Sequence, residues 1–329
     1  MAPNVDPYNR KITYLRLSVT DRCNLRCIYC MPVKDLTLLD HADILTYEEI
    51  LKLIRVATGV GIKKVRLTGG EPLIRRDFVH LVESVCRIAR IEDVSITTNG
   101  VLLKEMARPL FEAGVHRINV SLDTLNPLKY TKITRRERFD AVWEGLRVAE
   151  AVGFSPIKVN VVVIKGINDD ELLKFADLSV RKPYHIRFIE YMPIGQDSHW
   201  TPEKYISSDE IKAELETFGP LHKIPHAIHD GPAERYRFES AKGEIGFISA
   251  LSHHFCPSCN RLRLTADGKL RPCLFADDEV DIKSPLRKGC SEGDLKGLFE
   301  EAIARKPRRH RAEILRKGGC LRPMSTIGG

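Results

Sequence analysis

No run in this 329-residue chain is apolar for long enough to cross a bilayer, and the polar start from Met1 to Arg10 lacks the charged-then-apolar character of a secretion signal. A cytoplasmic protein is therefore expected. Low-complexity tracts and internal repeats are missing too, and an apolar content of 43 % is that of an ordinary globular chain, which excludes extensive disorder. The phosphate-cradling pattern G-x-x-x-x-G-K-[ST] occurs nowhere, so a P-loop is excluded as the means of holding a nucleotide. The chain is long enough to bury a sizeable core without disulfides.

What the chain does have is basic charge and clustered cysteine. Lys and Arg number 52 against 44 Asp and Glu, a net charge of +8 that suits an anionic ligand such as a nucleotide and fits nucleic acid equally well. The nine cysteines are odd in number and no secretion signal precedes them, which argues against a disulfide scaffold. Cys23, Cys27 and Cys30 form one group, and Cys256, Cys259 and Cys273 another. Two groups of three thiolates suggest two metal centres. Cys86 falls on the apolar side of a helical pattern and reads as core, whereas Cys290 and Cys320 have no partner at ligand spacing and read as bystanders.

From Tyr14 to about Met192, β-rich runs alternate with stretches of helical period. Strands are expected at Thr13–Val19, Lys64–Thr68, Val94–Thr98, His116–Ser121, Ile157–Ile164 and His185–Glu190. Thr46 and Glu49 have the spacing of a capping box ahead of Ile50, Leu51 and Ile54. Repeated βα units imply parallel strands with right-handed crossovers, in a doubly wound sheet or a barrel-like arc. We expect an α/β fold: a partial (βα)6 TIM-like barrel over residues 1–195, with a smaller C-terminal α+β region, 196–329, closing its open side. The later region should hold a helix near Ser208–Phe218 and strands near Arg235–Phe238 and Glu244–Ser249. In either architecture ligands gather at the carboxyl ends of the strands, where the distinctive segments of this sequence fall.

The spacing Cys23-x-x-x-Cys27-x-x-Cys30 lets three thiolates from one loop wrap a compact cluster, while an ordinary four-iron cluster takes four cysteines. An iron with a free position can bind a substrate, much as catalytic zinc keeps an open site. A structural zinc site completed by a remote ligand, or three buried free thiols, is the alternative. The second group, Cys256-x-x-Cys259 with Cys273 after thirteen intervening residues, again provides three thiolates. A zinc ribbon would want a further cysteine beside Cys273, although His253 or His254 could complete a zinc site.

The segment Cys23-Asn24-Leu25-Arg26-Cys27-Ile28-Tyr29-Cys30 resembles the C-x-x-x-C-x-aromatic-C signature of the radical S-adenosylmethionine superfamily. Over essentially the whole chain the layout resembles the molybdenum cofactor biosynthesis protein A family of GTP 3′,8-cyclases. The resemblance implies a [4Fe-4S] cluster on each cysteine trio, with S-adenosylmethionine chelating the open iron of the first. Tyr29, Gly70 and the Gly69-Gly70-Glu71 edge, with Ser121 and Met192, match the positions that meet S-adenosylmethionine. Arg16, Arg66, Thr97, Lys158, Arg261 and Arg263 match those that meet GTP, which would bridge the clusters. Glycine at 69 and 70 would let backbone approach the methionine moiety closely. Arg forks bind phosphate oxygens bidentately and Lys supplies a compact charge.

By the same resemblance, a 5′-deoxyadenosyl radical takes hydrogen from ribose C3′ of GTP, and the carbon radical attacks guanine C8 to give 3′,8-cyclo-7,8-dihydro-GTP, the first intermediate of molybdopterin synthesis. The downstream partner would be cyclic pyranopterin monophosphate synthase; the electron donor is unassigned and a homodimer stays open. The terminal Ile327-Gly328-Gly329 matches a family feature implied to reach into the active site. The run Arg305-Lys306-Pro307-Arg308-Arg309-His310-Arg311 reads as solvated surface, with nucleic-acid contact a second reading. Two rivals stand at this point: a peptide maturase with an auxiliary cluster, and a zinc-containing nucleic-acid-binding protein.

Overall fold

The computed structural model describes residues 3–31, 38–195, 199–225, 231–310 and 320–328. Arg311 of the basic run and Gly329 of the terminal pair lie outside them.

All six expected strands form: β1 (Tyr14–Ser18), β2 (Lys64–Thr68), β3 (Asp93–Thr98), β4 (Ile118–Ser121), β5 (Ile157–Val163) and β6 (Tyr184–Glu190), each parallel to the next. The crossovers are carried by α1 (Tyr47–Gly59), α2 (Phe78–Cys86), α3 (Leu103–Glu112), the pair α4 (Pro127–Thr134) and α5 (Phe139–Val152), and α6 (Leu172–Arg181). The expected capping box starts α1: the Glu49 backbone N–H donates to Thr46 Oγ1 at 3.2 Å and the Thr46 N–H to Glu49 Oε2 at 2.8 Å. Successive strand residues point to opposite faces. Leu15, Leu17, Val65, Leu67, Ile96, Ile118 and Val120 are buried in the main hydrophobic core. The alternating positions Arg16, Arg66, Thr68, Thr97 and Ser121 line the concave side.

The region after residue 195 adds its strands to both edges of this same sheet, giving the order β12-β11-β10-β1-β2-β3-β4-β5-β6-β9-β8-β7. Here α7 (Ser208–Glu216) is followed by β7 (Leu221–Ile224), β8 (Glu234–Phe238) and β9 (Glu244–Ile248), then by β10 (Arg261–Leu264), β11 (Lys269–Arg271) and β12 (Val280–Asp281). β9 lies parallel to β6, and β10 parallel to β1. The parallel arc therefore holds eight strands, two more than the βα repeats alone provide, with antiparallel pairs at its rims. β10 is not among the expected strands, where Arg261 and Arg263 stand only as matched GTP positions, although Arg261-Leu262-Arg263-Leu264 has strand alternation. β12 has two residues and carries no periodicity to read. The chain then forms α8 (Lys283–Arg287) and α9 (Glu292–Ala304), and ends in a helical turn, α10 (Met324–Ile327).

Candidate active site

Cys23, Cys27 and Cys30 follow β1 on a loop fastened from two sides. The Gly70 N–H donates to the Thr20 carbonyl at 2.6 Å and the Glu71 N–H to the Arg22 carbonyl at 2.7 Å, so the end of β2 runs against the backbone entering the cysteine loop. A Cβ on Gly70 would stand 2.2 Å from the Arg22 carbonyl oxygen, and one on Gly69 2.6 Å from that of Thr20. The glycines are thus required first by this backbone contact, before any approach to a ligand. The buried Glu71 carboxylate accepts from Thr98 Oγ1 at 2.8 Å, the Asn99 N–H at 2.7 Å and the Leu73 N–H at 3.0 Å. It ties β2 to β3 and is committed to that junction rather than to the cavity.

Around the thiols, Cys23 Sγ accepts from the Leu25 N–H at 3.4 Å and from Asn99 Nδ2 at 3.7 Å. Tyr29 Oη donates to Asp123 Oδ2 at 2.5 Å, and the Val162 N–H to Asp123 Oδ1 at 2.8 Å. Burial pushes Cys23 up to about 11. It also raises Cys27 and Cys30, and the neighbouring thiols and Asp123 raise them further. Burial likewise raises Asp123 to about 6. Three mutually repelling thiols, none in a disulfide, fit an iron cluster whose cationic charge would hold them as thiolates.

The second trio lies beside β10 and β11. Cys256 opens a single 3-10 turn, Cys259 precedes β10 by two residues and Cys273 follows β11. Burial and the other two thiols raise Cys256. Burial also opposes ionisation of Cys259, yet Arg261 and Lys306 outweigh it and bring this thiol down to about 6. His253 is turned outward and bonds Asp209 Oδ2 at 2.6 Å, while the His254 ring meets His310 at 5.0 Å. Another side of the loop is held by Glu190 at the end of β6, whose buried carboxylate accepts the Leu251 N–H at 2.7 Å and the Ser252 N–H at 3.1 Å.

Both trios line one cavity, together with Arg16, Arg66, Arg187, Arg261 and Arg263. Register sets Arg16 opposite Arg66 on one neighbouring strand and Arg263 on the other, a row of three like charges that would attract an anion. Arg16 is lowered to about 10, by burial first, with Arg66 and Arg261 adding to it. Thr97 Oγ1 and Asn160 Oδ1 line the same cavity, buried without a hydrogen-bond partner. Such orphaned buried atoms are uncommon and point to a bound group.

Residues 17–179 match the Radical SAM superfamily and residues 184–312 the Molybdenum Cofactor Synthesis C family. The chain is 49 % identical to the GTP 3′,8-cyclase of Moorella thermoacetica, over 98 % of this chain and 99 % of that protein. It is 53 % identical to the GTP 3′,8-cyclase of Thermodesulfovibrio yellowstonii, over the same shares. The chain belongs to the GTP 3′,8-cyclase family. Among solved structures, Streptococcus suis SuiB bound to S-adenosylmethionine superposes with a TM-score of 0.58 at 15 % identity, covering 94 % of this chain and 78 % of that one, a likeness of fold alone.

Of the positions matched to this cyclase family, the six cysteines, Tyr29, Gly70, Ser121, Met192, Arg16, Arg66, Thr97, Arg261 and Arg263 all line the cavity. Lys158 does not: it is buried, and lowered to about 6 by burial and by Arg187, Arg66, Arg117 and Lys64. The terminal segment does reach the site, with Met324 and Ser325 on its wall. The Gly328 carbonyl accepts from Arg263 Nη1 at 2.6 Å. A Cβ there would meet Thr68 and Ser18 at 2.9 and 3.1 Å, and φ is +85°, so glycine suits the position.

Two readings of the sequence are overturned. The basic run is not simply solvated: Arg305, Arg308 and Arg309 are exposed, but Lys306 and His310 line the cavity. Cys320 is no bystander. Its buried thiol accepts from Arg271 Nη2 at 3.0 Å, and its backbone pairs with Ile194, fastening the terminal segment to the end of β6. Arg187 and Asn160 were missed as cavity residues, although both lie at alternating positions of strands that had been identified.

Proposed function

We propose that this chain converts GTP to 3′,8-cyclo-7,8-dihydro-GTP, the opening reaction of molybdenum cofactor biosynthesis, using S-adenosylmethionine and two [4Fe-4S] clusters. One observation carries the reading: a single cavity is lined by both cysteine trios and by five arginines. S-adenosylmethionine, reduced through a cluster on Cys23, Cys27 and Cys30, supplies the 5′-deoxyadenosyl radical when both are bound.

The protein's own share is binding, orientation and exclusion of water. In this reading Arg16, Arg66 and Arg263 hold the triphosphate, their row supplying the forked donors that phosphate oxygens accept. Arg187, on β6, adds a further guanidinium to the same cavity, and Lys158, which feels both Arg187 and Arg66, gains a counter-charge once the nucleotide is in place. Thr97 Oγ1 and Asn160 Oδ1 meet polar atoms of the same ligand. Leu25, Met31, Val162, Ile189 and Met192 on the cavity wall keep water from the reacting atoms. Gly70, Ser121 and the Tyr29 ring, set by Asp123, lie where S-adenosylmethionine would contact them, and Met192 serves the same ligand.

No helix among the described residues is long and apolar enough to cross a membrane. A cytoplasmic location, and delivery of the product to cyclic pyranopterin monophosphate synthase, belong to this proposal.

The test is anaerobic reconstitution with iron and sulfide, then incubation with dithionite, S-adenosylmethionine and GTP. About eight irons per chain, as two four-iron clusters require, together with 5′-deoxyadenosine and cyclised GTP, is the expected result. Cleavage of S-adenosylmethionine with no GTP product would reopen the substrate. Zinc in place of iron would overturn the reading.

A further inference from the structure

The 306–310 segment touches every part of the chain that carries the second trio. Lys306 follows α9 and is only 4 % exposed. Its ammonium donates to the Arg261 carbonyl at 2.8 Å and to the Pro272 carbonyl at 2.8 Å. Arg261 lies two residues after Cys259, and Pro272 directly precedes Cys273. The antiparallel ladder between β10 and β11 stops at Arg263 opposite Arg271. One step further would bring in Pro272, which has no N–H to donate. Lys306 spans the two chains where the ladder gives out.

Arg10 supplies the matching contact to Cys256. Its buried guanidinium is paired with Asp6 at 2.6 Å, and it donates to the carbonyls of Cys256 at 2.7 Å, Pro307 at 2.7 Å and Arg308 at 3.2 Å. His310 bonds the Ala250 carbonyl at 3.0 Å and packs its ring on Phe275 at 4.7 Å. Among the described residues no carboxylate lies within ion-pair distance of Lys306. A buried ammonium without a counter-ion is costly, and Cys259 and Cys273, once ionised, favour its charged form.

We propose that Lys306 is a positioning residue of the second iron–sulfur site: it holds the Cys259 and Cys273 segments together, and its charge makes the cluster bound there easier to reduce. The inference rests on the two-cluster reading above. A four-iron cluster on three thiolates gains one negative charge on reduction, and a nearby buried cation favours the more negative form.

The experiment uses the full chain carrying Cys23→Ala, Cys27→Ala and Cys30→Ala, reconstituted anaerobically with iron and sulfide. Iron content and the electron paramagnetic resonance of the reduced cluster then report the second site alone. The parent should bind about four irons. Lys306→Met should keep the iron but shift the oxidised-to-reduced ratio at fixed potential about tenfold toward oxidised, a midpoint lower by about 59 mV for one electron. Lys306→Arg, which keeps the charge, should recover most of that shift. An unchanged midpoint in Lys306→Met with iron bound overturns the inference and leaves the two-cluster reading standing. A parent that takes up no iron defeats the two-cluster reading and the inference with it. If Lys306→Met itself binds no iron, recovery of iron in Lys306→Arg supports the clamp, and loss in both overturns it.

Discussion

Glu190→Gln is a near-isosteric change at a carboxylate that no solvent reaches. Oε1 accepts from the Ser208 N–H at 2.9 Å, from Tyr205 Oη at 3.2 Å and from Ser252 Oγ. Oε2 accepts from the Leu251 and Ser252 N–H groups. The three backbone N–H partners are fixed donors, whereas the Tyr205 and Ser252 hydroxyls can turn to accept, so the amide NH2 of glutamine settles at the Oε1 position and opposes one fixed donor, the Ser208 N–H. Hydrogen bonds to a charged group contribute about 1.5–3 kcal/mol each, so losing one costs roughly 1.5–3 kcal/mol. At about 2 °C per kcal/mol for a chain of this size, the melting temperature should fall by roughly 3–6 °C. Segment 251–252, which then meets a neutral amide in place of a carboxylate, leads into the loop of Cys256 and Cys259, so iron should be lost from the second trio before the first. Thermal unfolding of the metal-free chain, with iron counts on the reconstituted one, makes the comparison. A melting temperature within about 2 °C of wild type would refute the reasoning, because the Ser208 N–H could not then be meeting the carboxylate.

Other outcomes follow from the same geometry. Gly70→Ala places a methyl against the Arg22 carbonyl and should cost about 1–3 kcal/mol as overpacking, with lower iron occupancy of the first trio. Gly297→Ala, on the exposed face of α9 with no atom within 4 Å, should instead stabilise by up to about 1 kcal/mol; equal melting temperatures for the two variants would contradict the packing argument. Arg263→Ala should weaken GTP binding at least about tenfold, the effect of one charge-assisted hydrogen bond, while S-adenosylmethionine binding changes little. Unchanged GTP affinity removes Arg263 from the site. Lys158, lowered to about 6, is mostly neutral at pH 7 in the free protein, and an adjacent triphosphate favours its protonated form. GTP binding at pH 7 should therefore be accompanied by proton uptake, read by calorimetry in buffers of different ionisation enthalpy. Lys158→Met should abolish the uptake, and an uptake that persists would assign it to another group.

The six parallel strands, the Thr46 capping box and both cysteine trios could be read from the sequence because each is a local pattern. Alternation over four to seven residues, a three-residue cap spacing and a cysteine loop are all written within one short window. The strand assignments in turn placed the motifs at the carboxyl ends, where the cavity lies. The same logic would have found Asn160, one alternation step from Lys158, and Arg187, which lies inside a strand already identified.

Tertiary structure decided what depends on partners far away in sequence. Lys306 reads as one more charge in a basic run, and only the return of the chain after α9 sets its ammonium between Arg261 and Pro272, 45 and 34 residues earlier. Cys320 gains its partner Arg271 across 49 residues, and Gly328 gains Arg263 across 65. The glycines at 69 and 70 were expected where they stand, but their immediate cause is the backbone of Thr20 and Arg22. Nor could periodicity show that the C-terminal strands would extend the sheet at both ends. Local alternation states that a strand forms and which face it buries; which strand it joins is set by hydrogen bonds and packing that exist only once the chain has closed on itself.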